Sequence, residues 1–100
     1  MTILDVREYS ILATDQNARQ LAAGKEPAIA SQQVTFTVSS VPSNAFNEST
    51  RFVRVHANGT CRIEFGSNPT ASGTSMRMAA GATEYFGVTP GMKVAAIDAT

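Results

Sequence analysis

Two side chains with acid–base or nucleophilic chemistry stand close together in the stretch VRVHANGTCRIEF, residues 53–65. They are His56, the sole histidine, and Cys61, the sole cysteine. Five positions apart, they would form a thiolate–imidazole pair only if the backbone brought them within hydrogen-bond reach. The surrounding pattern argues against it. Asn58-Gly59 between two alternating hydrophobic runs predicts a β-hairpin. A two-residue loop would pair Val55 with Arg62 and set the aliphatics of the two strands on opposite faces, whereas a buried face fixes register. A three-residue turn over 57–59, with Gly59 at the positive-φ bulge position, keeps Val53, Val55, Cys61 and Ile63 together, and a turn over 58–60 does the same. Either way Cys61 points to the apolar side, where a free cysteine acts as a small hydrophobe. His56 points to the polar side, an exposed or interface histidine beside Arg54 and Arg62.

The rest of the chain offers little conventional chemistry. It has no phosphate-cradling glycine loop, no dinucleotide fingerprint and no zinc-ligand spacing. There is no GxSxG elbow to present a serine nucleophile. One histidine excludes a metal site built from several, as in cupin sandwiches. Glu8, Glu26, Glu48, Glu64 and Glu84 are scattered, so spacing alone does not pair them. The reading is a non-enzyme, with no catalytic residue, no metal and no cofactor.

The elements that would position these residues are short strands. In QQVTFTVSS, Val34, Phe36 and Val38 alternate with Thr35, Thr37 and Ser39, the mark of a half-buried strand. RFVRVHA, TCRIEFG, TSMRMAA, EYFGV and MKVAAID follow, separated by turn-rich segments such as VPSNAFNES and SNPTASG. Six strands punctuated by Gly, Pro and Asn predict an all-β chain: a single antiparallel β-sandwich, jelly-roll-like, over residues 31–100. Residues 1–30 are less regular. TILDV and YSILA each read as a strand. DQNARQLAAGK reads either as a short helix, capped by Asp15 and stopped by Gly24 with Ala18, Leu21 and Ala22 on one side, or as an irregular arm.

Composition narrows the partners. One hundred residues make one domain. Formal net charge is zero and charged residues are 16%, against about 25% in typical soluble domains. No basic excess exists to neutralise phosphates, so nucleic acid is not an expected partner. So weakly charged a surface suits association with copies of itself or another protein. No apolar run approaches the ~18 residues of a membrane-spanning helix, and MTILDVREYS lacks the regions of a signal peptide, so no membrane partner and synthesis in the cytoplasm of whatever cell produces the chain are expected. Six of the eight basic residues are arginines, and Arg and aromatic side chains anchor interfaces. The expected interface residues are Arg7, Tyr9, Arg19, Arg51, Phe52, Arg54, His56, Arg77 and Tyr85. Met76 and Met78 read as core, or as an adaptable apolar seam.

The order TRFVRVHANGTCRIEFGSNPTA, then SMRMAAGATEYFGVTPGMKVAAI, resembles small virion proteins of tailed bacteriophages, of the capsid decoration or cement type. The resemblance covers roughly residues 50–98 and rests on the Arg-Val strand, the C-x-I-x-F-G strand, the N-P-T-A loop, the A-G-x-x-E-Y-F turn and the P-G-x-K turn. It implies a sandwich that binds the major capsid protein on the virion exterior, clustered as a homotrimer. Residues 1–30 would then be an arm reaching a neighbouring subunit. A tail, head–tail connector or fibre-associated component, and a carbohydrate-binding sandwich module, are the alternative readings.

Overall fold

A computed structural model describes residues 2–14, 16, 17 and 19–99. The strands are β1 (Thr2–Tyr9), β2 (Leu12–Thr14), β3 (Gln20–Gly24), β4 (Ala30–Phe36), β5 (Val41–Pro42), β6 (Phe52–Ala57), β7 (Cys61–Gly66), β8 (Met76–Met78), β9 (Thr83–Gly87) and β10 (Lys93–Asp98). No helix occurs among the described residues. Two four-stranded antiparallel sheets, β4-β1-β6-β9 and β5-β10-β7-β8, form a sandwich, and β2 and β3 pair only with each other as a separate ribbon. Alternation explains the core. Leu4, Val6, Val34, Phe36, Val53, Val55 and Ala57 from the first sheet meet Cys61, Ile63, Met78, Val94 and Ala96 from the second. The paired sheets carry the strand order of a jelly roll, B-I-D-G over C-H-E-F, with the chain's first strand in the place of the last.

The Asn-Gly segment is not a hairpin. β6 pairs with β1 and β9, whereas β7 pairs with β10 and β8, so residues 58–60 cross from one sheet to the other. Asn58 continues along β1: its amide donates to the Ile3 carbonyl (3.1 Å) and its side-chain oxygen accepts from the Ile3 amide (2.6 Å). Gly59 is not among the positive-φ glycines, which are Gly81 and Gly91. It is needed for close approach instead, since a Cβ there would lie 2.6 Å from Thr2 Cγ2. The expected faces survive, because Val55 and Cys61 turn to one core whether they sit in one sheet or face each other across two.

The first thirty residues also differ from an arm. β1 is an interior strand between β4 and β6, and it buries Leu4 and Val6. Residues 20–24 are strand, not helix; the Asp15 cap and Ala18 lie outside the described residues. Leu12 pairs with Gly24 and Thr14 with Gln20, and at one or two turns a helix had too little local stability to compete with that pairing. The ribbon is therefore an elaborated connection between β1 and β4. The molecule measures 46 × 26 × 22 Å. An eight-residue strand spans only about 26 Å, so the long dimension exceeds one strand length.

The loops are tied by buried polar groups. Glu8 faces inward and its carboxylate accepts from the Asn47 amide (2.8 Å), the Thr50 hydroxyl (2.8 Å) and Gln32 Nε2 (3.3 Å), which fixes the 43–50 loop to β1. On the second sheet, the loop after β7 reaches Ser40, whose hydroxyl accepts from the Ala71 amide (2.9 Å). Ser40 precedes β5, so the loop passes over β10, whose outward-facing Ala95 is fully buried.

Candidate functional site

The outer face of β4-β1-β6-β9 carries the side chains that alternate away from the core. Register sets them in rows. Gln33, Asp5, His56 and Thr83 form one, and Ser31, Arg7, Arg54 and Tyr85 the next. Tyr9 and Phe52 continue toward the ribbon. Six of the nine expected interface residues thus share one face: Arg7, Tyr9, Phe52, Arg54, His56 and Tyr85. The other three lie apart. Arg19 is in the connection between β2 and β3. Arg51 precedes β6, and its Nη1 donates to the Glu48 and Thr50 carbonyls (3.2 Å each). Arg77 is on β8 opposite Arg62, in the other sheet.

The face divides into an aromatic end and a polar hollow. At the aromatic end Tyr9 stacks on Phe52, with centroids 5.4 Å apart, and Phe52 meets Tyr85 at 6.4 Å. Tyr9 is buried because the ribbon closes over it; a Cβ on Gly24 would lie 2.5 Å from its ring. Its hydroxyl donates to Glu26 (2.6 Å), and Arg7 Nη2 donates to the same carboxylate (2.8 Å). Burial, then the bond to Glu26, raises the Tyr9 pKa, while the bonds from Tyr9 and Arg7 hold Glu26 below the usual carboxylate range. This clamp fastens the ribbon's base. Beside it Leu12, Phe52, Tyr85, Phe86 and Gly87 line an apolar hollow of about 450 Å³. Tyr85 is 46% exposed and Ile11, at the ribbon's root, 55%. Met78 is core, and Met76 stands exposed on the sandwich edge.

The polar hollow, of about 570 Å³, is lined by Asp5, Arg7, Gln33, Arg54 and His56 among others. Gln33 Nε2 donates to Asp5 (2.9 Å), and His56 Nδ1 is 2.8 Å from the Thr83 hydroxyl. Arg54 has no hydrogen-bond or ion-pair partner among the described residues. Cys61 takes no part: it is buried in the opposite sheet, where desolvation, with the Asp98 charge second, pushes its thiol up to about 11. Among the described residues no group of three or more His, Cys, Asp or Glu could hold a metal ion. No helix there is long and apolar enough to cross a membrane. Asp5, Ser31 and Gln33 were not singled out from sequence, although the parity of TILDV, with Leu4 and Val6 inward, places Asp5 outward.

The chain matches no family model, no curated protein and no solved structure. Fold and site together define a β-sandwich with one sheet face left open.

Proposed function

We propose that this protein is a structural virion component that binds the outside of a tailed-bacteriophage capsid as a decoration protein, clustered as a homotrimer. The observation that carries the reading is the ribbon and the aromatic end beneath it. At the ribbon's root Ile11 and Tyr85 are exposed beside the apolar hollow, which makes an apolar docking end on a molecule otherwise low in charge. Aromatic side chains in such a setting bring large contact area at small entropic cost. The C-terminal resemblance to virion proteins supplies the partner, the major capsid protein. Binding across adjacent subunits stabilises a shell by linkage, because the protein binds the assembled form and not the dissociated one. Repeated copies at fixed spacing add through multivalency.

The test is light-scattering mass, alone and with undecorated capsids. A species of three times the 10.6 kDa chain mass that saturates capsids at hundreds of copies is expected. Replacing residues 12–24 by a short Gly-rich turn should leave a folded sandwich that no longer binds. A monomer indifferent to capsids, or full binding by the ribbonless variant, would overturn the reading. A few copies at one vertex would move it to a connector or tail component.

A further inference from the structure

The polar hollow has features that docking through the ribbon leaves unexplained. Arg7 and Arg54 stand directly opposite each other on β1 and β6, and like charges at such positions repel. Arg7 is neutralised by Glu26 at 2.8 Å; Arg54 has no such neighbour among the described residues. A guanidinium in this position is a fork for a carboxylate, which it binds bidentately. A bare anion would not suit the rest of the hollow, because Asp5 lies in the adjacent row and its carboxylate only accepts hydrogen bonds. With one oxygen taken by Gln33, Asp5 calls for a hydroxyl donor. His56, tied through Nδ1 to Thr83, keeps Nε2 for a second hydroxyl. Tyr85, opposite Arg54 on β9, offers an exposed ring where the polar hollow gives way to the apolar one. A group that is anionic at one point, hydroxylated at several and flat enough to stack on a phenol is an acidic sugar. At about 570 Å³ the hollow falls within the usual range of ligand sites, roughly 300–1,000 Å³.

We infer that the open face of the β4-β1-β6-β9 sheet binds a carboxylate-bearing saccharide, with Arg54 holding the carboxylate, Tyr85 the ring, and Asp5 and His56 the hydroxyls. The carboxylate has two chemical sources, a uronic acid or a sialic acid, and the site's chemistry is common to both. The inference does not rest on the capsid-binding reading, although Tyr85 borders both the saccharide face and the apolar hollow at the ribbon's root.

The experiment is titration of the isotopically labelled full chain, read by amide chemical shifts, with an oligogalacturonate, with sialyllactose, with lactose, and with sodium acetate. At least one acidic saccharide should shift residues of β1, β6 and β9 and bind at least tenfold more tightly than lactose. The acidic sugar that binds identifies the source. Arg54→Gln should weaken that binding at least tenfold and Arg54→Lys several-fold, because the lysine keeps the charge but not the fork. Both variants should keep the wild-type fold, shown by unchanged spectra elsewhere, and should still decorate capsids. Equal binding of lactose, equal shifts from acetate alone, or undiminished binding by both Arg54 variants would each overturn the assignment. Failure of capsid binding with saccharide binding intact would count against the decoration reading alone.

Discussion

The two outer faces of the sandwich had the same starting material and met different fates. Each is an antiparallel sheet with polar side chains alternating outward, and each carries a directly opposed arginine pair, Arg7 with Arg54 and Arg62 with Arg77. On the second sheet the chain covers itself. The 67–75 loop crosses to Ser40, Ala71 and Ala95 are buried, and Arg62 is occupied by the Ser75 carbonyl at 2.9 Å. On the first sheet the ribbon and the segment after it return over Tyr9 and reach Arg7 through Glu26, and among the described residues nothing ties Arg54 further along the row. An antiparallel sheet tolerates one solvated face, so the open face needs no structural justification, and its side chains are free to recognise something else.

That contrast can be broken most sharply by putting one charge on each face. Ala71→Asp buries an unpaired carboxylate under the covering loop and should cost about 3 kcal/mol or more, measured by urea unfolding. Thr35→Asp on the open face should stay within about 1 kcal/mol. Equal costs would mean the loop does not seal its sheet. A smaller effect is expected from Ser75→Ala. The Ser75 hydroxyl donates to Glu64 (2.9 Å) and accepts from the Ser72 amide (3.0 Å). Its loss should cost about 1–2 kcal/mol and speed hydrogen exchange in the 67–75 loop while leaving the open face unchanged.

The smallest effect concerns the ribbon clamp and is a matter of pH. Folding lowers the Glu26 pKa, so its contribution is complete above the ordinary carboxylate range and is lost as pH falls through the lowered value. Folding raises the Tyr9 pKa, so that contribution is present below the ordinary phenol value and is lost as pH rises through the raised one. The protection factors of the Lys25 and Ile29 amides should therefore fall at both extremes, and Glu26→Gln should remove the acidic limb and weaken the alkaline one, because Glu26 also helps raise the Tyr9 pKa. An unchanged acidic limb in that variant would show that another group holds the ribbon.

The strands from Gln32 onward were legible because apolar residues alternate there, and with them the inward side of Val53, Val55, Cys61 and Ile63. Which sheet each strand joined was not legible. A hairpin within one sheet and a crossing between two bury the same side chains, and what distinguishes them is the partner of each strand, β1 and β9 for β6 and β10 and β8 for β7, which lies far away in sequence. β5 escaped notice because two residues, Val41 and Pro42, carry no period. The interface-prone residue types on β1, β6 and β9 gathered on one face because every second position on neighbouring strands must. Arg51 and Arg77 share the chemistry but not the face, and residue type alone does not tell them apart. Glu8, one of several scattered glutamates in sequence, is an internal strut; its partners at 47 and 50 are some forty positions away.

The permuted strand order leaves the two ends of the described chain side by side. Thr2 pairs with Phe36, the Asp98 amide donates to the Thr37 carbonyl (2.8 Å) and the Ala99 amide to the Thr60 carbonyl (3.2 Å). This pole is opposite the ribbon, which leaves from the far end of β1. A segment joined to Thr2 or Ala99 would leave from this pole, away from the ribbon. On a surface that held the protein by its ribbon end, as proposed, this pole would face outward on every copy and turn the coat into a display lattice.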